Sequence, residues 1–398
     1  MTNYLIIGNG VAGTTAAENI RENDKQGNIT IVTDEDIPFY YRIRLSEYIS
    51  GDITEQGLLV KKDDWYIQAG IELRLKTRIT GADHVERIVI TEDNEKLPYH
   101  KLLIASGSHS FIPPITGSEK RGVFSLRHIQ DARNIINHVM EIEKVIIIGG
   151  GLLGLEAGNA FRKLGKQVTI VEFFPRLLPR QLDVEGAKRL RTTLEGMGFS
   201  FRLDAKTKEI EGDETVSGVR LDGGEFLSAS MVIISAGVRP NMELAEPLGL
   251  ESDKAIKVNE RLLTNQEGIY AAGDVAEFKG MTYGIWPAAM EQGKIAGTNM
   301  AGGDMVYKGT TMSNTLKVVG IDLASAGDID AENKHESRVV SDEETYKKIV
   351  LDNTRIIGCI MLGDTKGFNN ITRSISEKRD ISNIKDRILS EGFDFNTL

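Results

Sequence analysis

Apolar residues along this chain fall into short unbroken runs that stop at glycine and resume at helical spacing. Residues 4–7 (YLII) form one such run, ended by GNGVAG and followed at 14–21 by a helix-forming segment. Residues 145–148 (VIII) repeat the phrase, ended by GGGLLG. Short apolar runs bounded by turn formers predict strands buried on both faces, as in a parallel sheet. The runs NITIV at 28–32 and QVTIV at 167–171 follow in the same relative places, and KLLIASGS at 101–108 and MVIISAGVRPN at 231–241 close the two units alike. The chain therefore carries a long-range repeat of one strand–helix plan.

The pattern divides the chain into four stretches. Residues 1–111 form a first α/β unit, and Pro113 and Pro114 mark the crossing to a second at 112–238. Residues 239–307 return to the first unit, with a further strand, a Gly-Asp turn in YAAGD and the predicted helix PAAMEQGKIAGTNMAG. From 308 to 398 the rhythm changes: LKVVGIDLASAGD, RVV, KKIVLD and IIGCIML predict antiparallel strands, and the chain reads as helical from Asn369 to its last residues. The expected fold class is α/β, two Rossmann-like nucleotide-binding domains plus a small α+β C-terminal domain.

Composition narrows the function. A chain of 398 residues, 27% charged and 40% hydrophobic, is an ordinary globular sequence with length enough for several cores. Its net charge of −10 argues against bulk attraction to nucleic acid or anionic membrane. The N-terminus passes at once into a predicted strand and no apolar run is long enough to span a bilayer, so a cytoplasmic location is expected. Cys359 is the single cysteine, which excludes an intramolecular disulfide and a Cys-x-x-Cys site; the six histidines show no paired ligand spacing. No structural metal or iron–sulfur cluster is expected.

The glycines carry the chemistry. Gly8, Gly10 and Gly13, and again Gly149, Gly151 and Gly154, stand at the G-x-G-x-x-G spacing between strand and helix. The first glycine of such a turn permits a positive φ, the second lets a pyrophosphate approach the backbone, and the third allows close packing of helix on strand. The phosphates then meet free N–H groups at the helix's positive end. An acid about 20 residues further on should hold the adenosine ribose; Asp34 and Glu35 fill that place after the first turn and Glu172 after the second. Each turn alone could be no more than a tight connection, but both together point to two dinucleotides. Glu172 would accept the 2′-OH of NADH and repel the 2′-phosphate of NADPH, with Arg176 the one nearby cation.

The two fingerprints, the strand ends IASGS and ISAGVRPN, and T-x-x-x-x-I-Y-A-x-G-D from Thr264 to Asp274 occur in order over residues 1–300. Together they resemble the two-dinucleotide-binding flavoprotein superfamily, the FAD- and NAD(P)-dependent reductases related to glutathione reductase. The resemblance implies FAD at the first fingerprint and NADH at the second. It implies that Gly273 and Asp274 hold the flavin ribityl chain and pyrophosphate, and that Trp286 starts a helix aimed at the flavin pyrimidine. It further assigns Ser46, Ile79, Ala105, Ser106 and Gly107 to FAD and Gly237 to NAD. Glu156 occupies the place where many members carry a glutamate beside the nicotinamide; a helix residue favoured by the dipole is the other reading. Arg42 and Arg44 read either as cations toward the flavin or as an exposed charged strand end.

Disulfide reductases of this superfamily place a cysteine pair just past the ribose acid, and peroxidases and water-forming NADH oxidases place one cysteine after Leu-Ser; here Leu45 and Ser46 are followed by Glu47, which the resemblance places, with Glu156, near the flavin and nicotinamide, with no catalytic residue assigned. Without a thiol there, electrons taken as hydride must leave directly from the flavin. Tyr40, Arg42, Leu45 and Ser46 together with LKVVGIDLASAGDI resemble the branch of rubredoxin reductases and the flavin portion of nitrite reductases most closely. That implies NADH:rubredoxin oxidoreductase activity, with a small one-electron carrier such as rubredoxin, less readily ferredoxin, as partner. The carrier would dock through a basic patch drawn from Lys61, Lys62, Lys317 or Lys366. A cysteine-independent flavin NADH oxidase forming hydrogen peroxide, and a flavin-bound NADH sensor, are the alternatives.

Overall fold

A computed structural model describes every residue except 391, with the backbone alone at 314 and 316–318. Its architecture is built on two five-stranded parallel sheets of matching layout and a five-stranded antiparallel sheet.

In the first sheet the strand Asn3–Ile7 is central, flanked by Asn28–Val32 and then Ile71–Arg74 on one side, and by Lys101–Ile104 and then Ile269–Ala271 on the other. In the second, Lys144–Ile148 is central, flanked by Gln167–Val171 and Ser200–Arg202, and by Met231–Ile234 and Val123–Phe124. Both central strands are buried along nearly their whole length because helices cover the sheets, which is why they read as unbroken apolar runs. The difference lies at one edge. The first sheet recruits its last strand from residues 269–271, the second from residues 123–124, so the chain crosses between the sheets twice. Those crossings, Ser108–Ser110 and Val238–Pro240, pair antiparallel with one another. Asn241 Nδ2 donates to the Ser106 carbonyl and Ser106 Oγ donates to the Asn241 carbonyl, tying the crossings beside the strand ends.

The helix Val11–Asn23 packs along the helix Trp286–Met300 at close range. A Cβ added at Gly293 would stand 2.4 Å from the Ala12 carbonyl oxygen, and one at Gly297 would stand 2.3 Å from that of Ala16. Only glycine facing alanine permits this approach, and it brings the N-terminus of Trp286–Met300 beside the first glycine turn.

The antiparallel sheet runs Ser313–Val318, Ile321–Gly327, Arg355–Leu362, Tyr346–Asp352, Glu336–Ser341. The segment LKVVGIDLASAGD is a hairpin rather than one strand, since Val319 and Gly320 both take positive φ, +55° and +85°, as a two-residue turn requires. The C-terminal helix covers only Phe368–Glu377. Lys378 enters the left-handed region at φ 53°, and the Asp380 carboxylate then accepts from Ser382 N–H; among the described residues after it there are turns and a short 3-10 segment at Phe395–Thr397, and the expected helix to the last residues does not form there.

The antiparallel sheet is joined to the second parallel sheet by a buried charge pair. Lys348, 1% exposed, reaches Asp183 at 3.2 Å, the carbonyl of Asp330 and Asn333 Oδ1, while Tyr346 donates to the same carboxylate at 2.7 Å. Asp183 also caps the helix Val184–Gly196. No helix among the described residues is long and apolar enough to cross a membrane.

Candidate functional site

The first glycine turn is fixed by sterics. Gly8 holds φ +108°, and a Cβ there would lie 2.1 Å from the Ala105 carbonyl oxygen; a Cβ on Gly13 would lie 2.0 Å from the Gly8 carbonyl oxygen. A Cβ on Gly10 would meet nothing within 4 Å. It faces open space because the turn opens into a cavity of about 740 Å³.

Thirteen of the sequence-predicted residues line that cavity: Gly8, Gly10, Asp34, Glu35, Arg42, Ser46, Ile79, Ala105, Ser106, Gly107, Gly273, Asp274 and Trp286. Gly13 does not; it sits behind the turn as the helix–strand contact. Arg44 and Glu47 do not line it and are bonded to one another through Arg44 Nε and Nη2, three residues apart. Glu156 accepts a hydrogen bond from Val319 N–H at 3.0 Å. Burial raises its pKa and the Glu47 charge adds to the rise, while Val319 N–H opposes it. It therefore braces the strained Val319 turn, where a β-branched residue is held at positive φ.

Several contributors had no sequence signal. Arg127 and His128 come from the connection before the helix Ile129–Val139 and line the cavity. Arg127 Nη2 donates to Asp274 at 2.7 Å and to Ser108 Oγ at 2.6 Å. Burial lowers its pKa and the neighbouring Arg42 lowers it further, against the opposing pull of Asp274. Arg42 in turn donates to Glu35, which also accepts from the Tyr40 hydroxyl. Burial works against ionisation of Glu35, but the His128 ring, Arg42 and Tyr40 outweigh it and hold its carboxyl at about 2. The cavity thus presents three guanidiniums, Arg42, Arg78 and Arg127, with a ribose-type carboxylate between turn and crossing. Trp286 is sandwiched between Phe39 and Tyr41, at ring-centre distances of 5.8 and 5.5 Å, and with Pro287 it opens the helix whose positive end borders the cavity.

These residues fit a bound FAD. Asn9 lines the cavity with its Oδ1 accepting from Thr14 and Tyr66, leaving Nδ2 a buried donor with no protein partner. Gln292 accepts from Gly273 N–H and so fixes the turn before Asp274. A buried amide left in the state of Asn9 costs free energy unless a ligand accepts from it. Cations, open backbone N–H groups at Gly10 and an aromatic rim match a dinucleotide carrying a pyrophosphate and a flat ring. Among the described residues, no sulfur lines the cavity. Cys359 is buried in the core of the antiparallel sheet, where burial pushes its thiol up to about 12.

The second turn repeats the first. Gly149 holds φ +117° with a hypothetical Cβ 2.2 Å from the Ser235 carbonyl oxygen, Gly154 would meet the Gly149 carbonyl at 2.1 Å, and Gly151 would meet nothing within 4 Å. Glu172, 6% exposed, accepts from Gly150 N–H at 2.5 Å and from Phe174 N–H at 2.9 Å. Gly237, at φ +98°, lies on the exposed segment after the strand Met231–Ile234. Leu153, from the helix that follows the second turn, lines the first cavity and so links the two sites.

Comparison with known proteins agrees with this geometry. Residues 2–293 match the family model for pyridine nucleotide-disulphide oxidoreductases, and residues 313–379 match that for the rubredoxin NAD+ reductase C-terminal domain. The chain is 36% identical over 382 residues to a nitrite reductase [NAD(P)H] of Bacillus subtilis, covering 95% of this chain and 48% of that one. It is 32% identical over 385 residues to the NADH-rubredoxin oxidoreductase of Clostridium acetobutylicum, covering 96% and 97%. The crystal structure of the Clostridium acetobutylicum enzyme superposes with a TM-score of 0.83 at 32% identity over the full length of both chains. A ferredoxin reductase from Rhodopseudomonas palustris shares the fold, with a TM-score of 0.91 at 22% identity, covering 100% and 99%. The chain spans about half the length of the nitrite reductase relatives. The chain belongs to the pyridine nucleotide-disulphide oxidoreductase family.

Proposed function

We propose that the chain is an NADH-dependent reductase that delivers single electrons to a small iron protein of the rubredoxin type, working in the cytoplasm. When bound, FAD supplies the conversion, since its ring takes two electrons together and releases them singly. Asn9, Arg42, Arg127, Gly273 and Asp274 would hold it; Gly149, Gly151 and Gly154 would hold the NADH pyrophosphate. Orientation does the work, and no side chain need move a proton in the hydride step.

The observation that carries the reading is the absence of sulfur, among the described residues, from the cavity lining, with the single cysteine locked in another core. A thiol relay has no members here, which leaves direct outflow to an external acceptor. Full-length similarity to an NADH-rubredoxin oxidoreductase supports the same acceptor class. Glu172 supports NADH over NADPH: it is a buried carboxylate fixed against the second turn, and the nearby Arg176 is committed to the carbonyls of Leu182 and Pro179. Of the expected basic docking patch, Lys62 and Lys366 are exposed, Lys61 is paired with Glu18 and lies over the Trp65 ring, and the side chain of Lys317 is outside the described residues. The exposed Ile43, which lines the cavity, offers an apolar approach as well.

An NADH oxidase is the second reading, supported by 33% identity over 338 residues to a protein of that name from Methanocaldococcus jannaschii. Anaerobic reduction by NADH followed by mixing with rubredoxin, ferredoxin or air separates the two. Rapid reoxidation by rubredoxin with slow reoxidation by air is expected; fast reoxidation by air with indifference to both carriers would overturn the reductase assignment.

A further inference from the structure

Phe173 and Phe174 follow the ribose-type acid of the second turn directly, and both are solvent-exposed, at 62% and 50%. Their rings meet edge to face, with centres 5.5 Å apart and planes at 85°. Single exposed apolar side chains are common, whereas two adjoining exposed aromatic rings present one contiguous apolar surface that a flat apolar ligand can cover. The backbone beneath them is fixed: Phe174 N–H donates to Glu172, and the Phe174 carbonyl accepts from Asp204 N–H at 3.1 Å. The Glu172 carboxylate is anchored to Gly150 in the glycine turn, where a Cβ on Gly150 would press on the Leu177 and Glu172 side chains at 2.8 and 3.1 Å. Pyrophosphate turn, ribose acid and aromatic pair therefore follow one another along one surface.

We propose that Phe173 and Phe174 form the platform for the adenine ring of NADH. The inference rests on reading the second turn as the NADH site. The base is bonded to ribose C1′, next to the hydroxyl that Glu172 would accept, so it must lie beside the residues that adjoin the acid. Consecutive Cα atoms are about 3.8 Å apart, which puts both side chains within reach of it. A flat purine offers such rings a stacking face and removes their apolar surface from water. The same pair leaves no cation at the two positions after the acid, where a 2′-phosphate would need one.

Stopped-flow reduction of the holoenzyme by NADH, and by reduced nicotinamide mononucleotide, which lacks the adenosine, tests this. For the Phe173→Ala/Phe174→Ala double variant the half-saturating NADH concentration is expected to rise roughly tenfold or more, with the limiting reduction rate, flavin content and Tm unchanged. Kinetics with the mononucleotide are expected to stay at the parent value. Tyrosine at both positions should restore NADH saturation and leucine should not. An unchanged NADH half-saturation, or an equal shift for both donors, would overturn the platform while leaving the nucleotide reading intact. A parent enzyme that NADH fails to reduce would refute that reading and the platform with it.

Discussion

The two glycine turns are nearly the same object twice, yet they open onto different surroundings. Gly8 and Gly149 take the same left-handed conformation against the end of a neighbouring strand, and Gly13 and Gly154 crowd the same carbonyl. Around the first turn, however, the crossings, the helix Trp286–Met300 and the Arg127–His128 connection close a walled cavity. Around the second, the acid is drawn in against the turn and two phenylalanines face solvent. The local motif therefore sets how phosphates are held, while the surroundings set how long. Walls suit a ligand that stays; an open face suits one that arrives and leaves with every turnover.

Substitution at matched positions would break or sharpen this contrast. The largest effect is expected at the strained glycines. Gly8→Ala and Gly149→Ala should each cost more than about 3 kcal/mol of stability because the new Cβ meets a carbonyl oxygen. Gly8→Ala should yield protein without flavin absorbance, whereas Gly149→Ala should keep the flavin and lose its bleaching by NADH. Loss of flavin in both would show that the sites are not separable.

Next come Gly10→Ala and Gly151→Ala, whose Cβ atoms would enter open space at ordinary φ of −90° and −77°. Thermal melts should move by less than about 0.5 kcal/mol in stability. Flavin release from Gly10→Ala and NADH saturation of Gly151→Ala should each worsen about tenfold, as expected where backbone meets pyrophosphate. Arg127→Met should weaken flavin retention by about 2 kcal/mol, since a charge-assisted contact is lost beside Asp274, and NADH saturation in the flavin-replete variant should be unaffected.

The smallest effect is expected at Glu156. Glu156→Ala removes the acceptor of Val319 N–H and should cost about 1 kcal/mol. Glu156→Gln keeps an acceptor and should cost less. Because burial raises the folded-state pKa of this carboxyl, its favourable contribution is present at low pH and is lost as pH rises through that raised value. The stability of Glu156→Gln relative to the parent should therefore improve as pH rises from the ordinary carboxylate range toward neutrality, as read from urea melts across that range. A flat difference would mean the carboxyl titrates normally.

What could be read from residue order was whatever is local. Each fingerprint, its strand, its helix and its acid lie within a few tens of residues, and the β-branched runs that make buried strands are continuous. The Arg127–Asp274 contact spans 147 positions and follows from the folding of two crossings onto each other. Nothing around Asn9 or Gln292 marks them as buried amides, because their partners come from Tyr66 and Gly273. Trp286 was legible as a helix start through Pro287, but not its stacking between Phe39 and Tyr41. The tail misled because its apolar spacing continues past Lys378, where one left-handed residue ends the helix. The Arg44–Glu47 pair was not legible either, because a motif position says nothing of a neighbour three residues away that bonds to it.

Lys348 has a consequence for cooperativity. Take away the Asp183 carboxylate and the ammonium is left inside the protein without its counterion; an uncompensated buried charge of that sort costs about 3–5 kcal/mol. The antiparallel sheet is therefore expected to melt together with the second parallel sheet and not as a unit of its own.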